Sequence, residues 1–215
     1  MTRLRRGHLP RRLSLCCALL ALAGRSLAAQ TRPDALQEYR SGRYQTAVNI
    51  CRQEIAANPL NIESHVVLCW SLIALGQYQD AAPAAEAARK LNRYDSRVIE
   101  IFGELAYYEG RNREALGYFQ DYVSQYPEGM RIDKVYYLEG ETYIRLERFR
   151  HADIALSAAV HRSPGNAVWW TRLAYAREKA GDAASAADAY SQALSLNPSL
   201  ADAQRGLDRI REGQR

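Results

Sequence analysis

Residues Ala167 to Leu200 read AVWWTRLAYAREKAGDAASAADAYSQALSLNPSL, and this stretch decides the fold. Trp170, Leu173 and Ala174 recur at helical spacing, Gly181 breaks the pattern, and Ala186, Tyr190, Ala193 and Leu194 resume it. The segment predicts two short amphipathic helices joined by a tight turn. Pro198 closes it, because a proline inside a helix loses a backbone bond and clashes one turn back.

The punctuation recurs. Gly42, Gly76 and Gly110 are 34 residues apart, Glu147 follows after 37, and Gly181 after another 34. The alanine opening each second helix keeps step as Ala47, Ala81, Ala115, Ala152 and Ala186. So does the closing position, as Pro59, Arg93, Pro127, Pro164 and Pro198. Twelve residues before each alanine lies another small residue: Ala35, Cys69, Gly103, Gly140 and Ala174. Such pairs suit antiparallel helices crossing closely, where a larger side chain would cost about 1–3 kcal/mol in overpacking. Glycine at the turn tolerates the left-handed backbone that ends a helix, so Glu147 there predicts mild strain or a different turn.

With its large residue, small residue, Gly, Ala, aromatic, Ala and Pro in one register, the segment resembles a tetratricopeptide repeat, whose helix–turn–helix period is about 34 residues. The resemblance spans most of the chain from Thr31 to Leu200. It divides into five units at 31–61 (with a truncated first helix), 62–95, 96–129, 133–166 and 167–200. Met130 to Ile132 form an insertion that explains the longer spacing, and residues 201–212 read as a polar capping helix with Leu207 and Ile210 on its apolar side. The expected fold class is all-α: a right-handed α-α superhelix, or solenoid, whose concave face is lined by the first helix of every unit. Pro83, beyond the first turn of a second helix, predicts a kink.

Composition narrows the function. The net charge of +5 suggests an anionic partner, but six of the 29 basic residues lie in 1–28, a stretch without acids. The remainder is nearly balanced against 24 acidic residues, which removes the argument for nucleic-acid binding. The same 28 residues have the parts of a secretory signal. An arginine-rich start precedes the apolar run Leu13 to Ala23, and Ser26-Leu27-Ala28 offers a small-x-small cleavage site. An uncleaved anchor is the alternative, although the run is far shorter than the roughly 20 residues of a membrane helix. Lipidation at Cys16 is disfavoured because Leu15 stands where a small residue is wanted. The expectation is export after cleavage at Ala28, with no transmembrane segment in the mature chain. Cys51 and Cys69 fall on packed faces and read as buried free thiols, with a disulfide as the alternative that export permits.

No phosphate loop, nucleophile elbow or zinc-type His-Glu spacing is present, so no enzyme activity and no cofactor are expected. His65, His151 and His161 lack a metal-like partner at i+4 and read as surface or edge residues. The binding candidates are those that the resemblance places on the concave face. They are Leu36 and Tyr39; Val66, Trp70 and Ile73; Glu100, Glu104, Tyr107 and Tyr108; Tyr137, Glu141 and Ile144; and Thr171, Tyr175 and Glu178. Exposed tryptophan and tyrosine make binding hot spots, and the competing reading packs half of these residues between neighbouring repeats as core. Glu141 is expected to face Glu104, and the acids at 100, 104 and 141 either hold a basic group or cation or pair with Arg145 or Lys134. The lysine and asparagine clamp with which some family members hold C-terminal carboxylates has no counterpart at Val66, Trp70, Glu100, Glu104, Tyr137 and Glu141.

By resemblance the chain is expected to be a periplasmic, non-enzymatic scaffold holding a protein or peptide segment in its groove. The alternatives are a transport-associated partner of a solute-binding protein or a small-ligand binder, and a homo-oligomer whose groove is self-occupied.

Overall fold

The computed structural model describes residues 34–213, which belong to one compact unit. The leader expectations, including cleavage after Ala28, lie outside the described residues. Eleven helices follow one another in the described part: α1 (Ala35–Arg40), α2 (Tyr44–Ala57), α3 (Ile62–Ala74), α4 (Tyr78–Leu91), α5 (Ser96–Tyr108), α6 (Asn112–Gln125), α7 (Ile132–Arg145), α8 (Phe149–Arg162), α9 (Ala167–Ala180), α10 (Ala183–Leu196) and α11 (Ala201–Gly213). None is long and apolar enough to cross a membrane.

Each helix packs on the next in sequence. Beyond that, α1, α3, α5, α7 and α9 each touch the next odd-numbered helix, while the even-numbered helices do not touch one another. Helices that meet their like on one side and splay apart on the other make a curved stack. The odd-numbered helices therefore form its inner layer, and the chain is an α-α solenoid. Every unit buries its apolar stripe only against its neighbours.

The turns within the units are built alike. Gly42, Gly76, Gly110 and Gly181 have φ between 73° and 88°. The next N–H, of Arg43, Gln77, Arg111 and Asp182, donates back to a carbonyl five residues earlier at 2.8–2.9 Å. This double-backed helix end satisfies carbonyls that the helix leaves open. Glu147 takes the same turn rather than a different one, with φ 56° and Arg148 N–H donating to the Tyr143 carbonyl at 2.9 Å.

The five alanines at the helix crossings are fully buried, and Cys69 Sγ lies 3.7 Å from the Ala81 carbonyl. At two crossings the small residue makes room for a different partner from the alanine expected. A Cβ on Gly103 would meet the Phe119 ring at 2.5 Å, and one on Gly140 would meet Leu156 Cγ at 2.5 Å. α4 runs unbroken through Pro83, whose side is exposed, so water can take the carbonyl it leaves open. His65 is buried rather than at an edge, with Nε2 3.0 Å from the Pro59 carbonyl and Nδ1 without a partner. Cys51 and Cys69 are buried free thiols, each pushed up to about 12 by burial.

Candidate functional site

The inner face has two unlike halves. In the N-terminal half, α3 is buried on every side from Ser64 to Ile73, so Val66, Trp70 and Ile73 are packed rather than presented. Trp70 is only 6% exposed. Tyr39 lies beside it with ring centres 5.7 Å apart. On α5, Glu100 and Glu104 are fully buried.

What covers them is Arg131, from the insertion. Its Nε donates to Glu100 Oε1 at 2.8 Å, Nη2 donates to Glu104 Oε1 at 3.1 Å, and its guanidinium carbon sits 4.5 Å from the centre of the Trp70 ring. Trp70 Nε1 donates to Glu100 Oε2 at 2.9 Å, and Lys134 pairs with Glu104. Burial, and then the charge of Glu104, hold the Glu100 carboxyl well above the usual carboxylate range. Burial pushes Glu104 the same way, but the charges of Lys134 and Arg131 and a hydrogen bond from Glu100 overcome it and hold Glu104 low. One proton and one negative charge are thus shared unequally between the two acids.

Tyr107 is also buried. Arg145 lies over its ring at 3.5 Å and donates to its carbonyl at 2.5 Å instead of pairing with an acid. Tyr108 is the exposed member of that pair, stacked on Tyr78 at 4.8 Å. Glu141 does not complete an acid cluster with Glu104; it accepts from Arg172 Nε at 2.6 Å. Among the described residues no group of histidine, cysteine, aspartate and glutamate could hold a metal ion.

The C-terminal half is open. Tyr137 is half-buried and stacks on Trp169 with centres 4.9 Å apart and planes 10° from parallel. Arg172 lies 5.2 Å and Lys179 5.6 Å from the Tyr175 ring centre. Glu178 accepts from Tyr190 Oη at 2.6 Å and pairs with Arg209 at 2.9 Å. Where α9, α10 and α11 meet lies a cavity of about 260 Å³ lined by Thr171, Arg172, Tyr175, Tyr190, Asp202, Arg205 and Arg209.

Of the residues read from the sequence, Tyr39, Trp70, Glu100 and Glu104 converge, as do Tyr175, Glu178 and Thr171, while Val66, Ile73 and Tyr107 are core. Sequence reasoning missed Arg131, Trp169, Arg172, Arg205 and Arg209. For Arg131 a signal existed. α1, α3, α5 and α9 begin on Asp34, Asn61, Asp95 and Asn166, whose side chains cap the helix. α7 begins on Arg131 with no side-chain cap, forgoing about 1 kcal/mol.

Two family models, both of the tetratricopeptide repeat, match residues 137–205 and 103–129. Among solved structures, PilW, described as a widely conserved type IV pilus biogenesis factor, superposes with a TM-score of 0.72 at 18% identity, covering 84% of this chain and 82% of that one. PilF of Pseudomonas aeruginosa gives 0.71 at 15% identity over 84% and 81%. YrrB, described as a tetratricopeptide-repeat protein with an unusual peptide-binding site, gives 0.60 at 13% over 80% and 87%. Comparison with curated proteins gives no match. At these identities the likeness is one of fold.

Proposed function

The chain belongs to the tetratricopeptide-repeat family, and from that premise we propose that it is a non-enzymatic scaffold holding a protein or peptide segment in the C-terminal half of its inner groove. The observation that carries this reading is the contrast between the two halves. One is filled by the chain's own side chains, whereas the other leaves Tyr137, Trp169, Arg172 and Tyr175 partly open, and Arg172 and Tyr175 line a cavity. Aromatic and arginine side chains on a rigid concave support are the residue types that anchor interfaces. A cavity of about 260 Å³ is small beside the roughly 300–1,000 Å³ of small-molecule sites, which favours a protruding side chain over a free ligand.

We further place the scaffold outside the cytoplasm, in the periplasm. The arginine-rich start, the apolar run Leu13 to Ala23 and Ser26-Leu27-Ala28 support export. The likeness to PilW, a pilus biogenesis factor, supports a place beside an envelope assembly machine.

The reading is tested with a photo-crosslinking amino acid placed at Val168 or Tyr175 on the inner side of α9, and at Ile154, which is 72% exposed on α8. Partner adducts are expected from the inner positions. Adducts from position 154 with none from 168 or 175 would overturn the groove as the docking face.

A further inference from the structure

The junction between α6 and α7 runs over six residues, 126–131, where the other junctions between units have four, and its last residue, Arg131, fills the N-terminal half of the groove. The cradle around it has the chemistry of a guanidinium site. A tryptophan ring supplies one face, and two fully buried carboxyls supply acceptors at 2.8 and 3.1 Å. Aromatic faces and paired carboxylates suit the planar, forked arginine head better than the compact ammonium of lysine. Lys134 already occupies the point-charge position beside Glu104.

The fit of Arg131 is incomplete. Glu104 Oε2 is buried and takes no hydrogen bond from either cation, because Arg131 and Lys134 both approach Oε1. Arg131 is tethered at the N-cap of α7 and spreads one nitrogen to each acid. An arginine arriving without that tether can set its fork across both oxygens of Glu104. Arg131 also makes no side-chain cap bond, so it can leave the cradle without opening the first turn of α7. With it gone, the Trp70 face and the Glu100 and Glu104 acceptors that it used are open to another guanidinium.

We propose that the Trp70–Glu100–Glu104 cradle is a recognition site for an arginine side chain of the partner, and that Arg131 occupies it until that side chain displaces it. This rests on the groove reading above and names the chemistry of the partner and its internal competitor.

The test uses the full chain and N-acetyl-arginine methylamide as the probe, read by the Trp70 indole N–H resonance, with the lysine analogue as the comparison. Arg131→Gln is expected to bind the arginine probe at least tenfold tighter than wild type and the lysine analogue more weakly. The gain should vanish in the Arg131→Gln/Glu104→Gln double variant. Binding by Arg131→Gln no tighter than wild type overturns the proposal. Should that variant not fold, Arg131→Lys keeps the charge but loses the fork; it must still gain affinity for the probe, and no gain overturns the proposal equally. Adducts at Val168 or Tyr175 together with a failed probe would leave the groove reading standing and remove only the arginine site.

Discussion

Gly103 and Phe119 are in such close register that a single methyl group on the glycine would lie 2.5 Å from the ring. Phe119 is fully buried, so the ring has nowhere to move without shifting α5 from α6. Replacing Gly103 by alanine should gain up to about 1 kcal/mol in helix propensity and lose about 1–3 kcal/mol to overpacking, for a net loss. Gly117, on α6, has nothing within 4 Å of its would-be Cβ. Gly117→Ala should therefore stabilise by up to about 1 kcal/mol. Urea midpoints of the two variants moving in the same direction would contradict this account of the crossing.

Glu147 holds a left-handed φ of 56° in a turn that four of the five units build with glycine. That conformation costs a residue with a Cβ about 1–2 kcal/mol, of which glycine's larger loss of chain entropy returns a part. Glu147→Gly should raise stability by up to about 1 kcal/mol with unchanged helix content. A lower melting temperature would show that the side chain contributes more than the backbone strain costs.

These two sites also show where the sequence was readable. A left-handed turn and a close crossing are decided within one unit, so the 34-residue register and the small residues exposed both. Burial of Trp70 is decided elsewhere. Its indole is covered by Arg131, which belongs to a different unit and reaches the groove through an insertion, and helical projection of α3 alone could not include it. His65 is similar: its burial depends on the Pro59 carbonyl in the preceding loop. The inner stripe was legible as a set of positions. Its division into a filled half and an open half was not, because that depends on which long cations fold back onto which acids.

Glu139 carries a pH dependence. Burial pushes its carboxyl from 4.5 up to about 7, against hydrogen bonds from Gln120 and Tyr143 that lower it. The folded state therefore holds this proton more tightly than the unfolded chain. Its contribution to stability is full below pH 4.5, declines as pH rises, and is lost above about pH 7. Glu139→Gln removes the titration while keeping the shape, so the variant should be more stable than wild type at pH 8 by up to about 3 kcal/mol. The gain should shrink as pH falls towards 4.5. A difference that is flat with pH, measured by denaturation at several pH values, would remove Glu139 as its source.

Glu100 and Glu104 lie one turn apart and equally buried, yet they should respond differently to the same change. The negative charge resides on Glu104, held low by Lys134 and Arg131, while burial and that neighbouring charge keep the proton on Glu100. Glu104→Gln leaves two buried or half-buried cations without their anion, and breaking one side of such a pair costs about 3–5 kcal/mol. Glu100→Gln replaces a protonated carboxyl with an amide that still offers a donor towards Glu104, and should cost about 1–2 kcal/mol from weakened bonds to Trp70 and Arg131. The Glu104 contribution is present above its ordinary value of 4.5 and is lost as pH falls below it, so the gap between the variants should narrow in acid. Guanidinium would compete for this site, so urea denaturation at pH 7 and pH 3 is the suitable measurement. If Glu100→Gln proves the costlier of the two at pH 7, the proton and the charge have been assigned to the wrong acids.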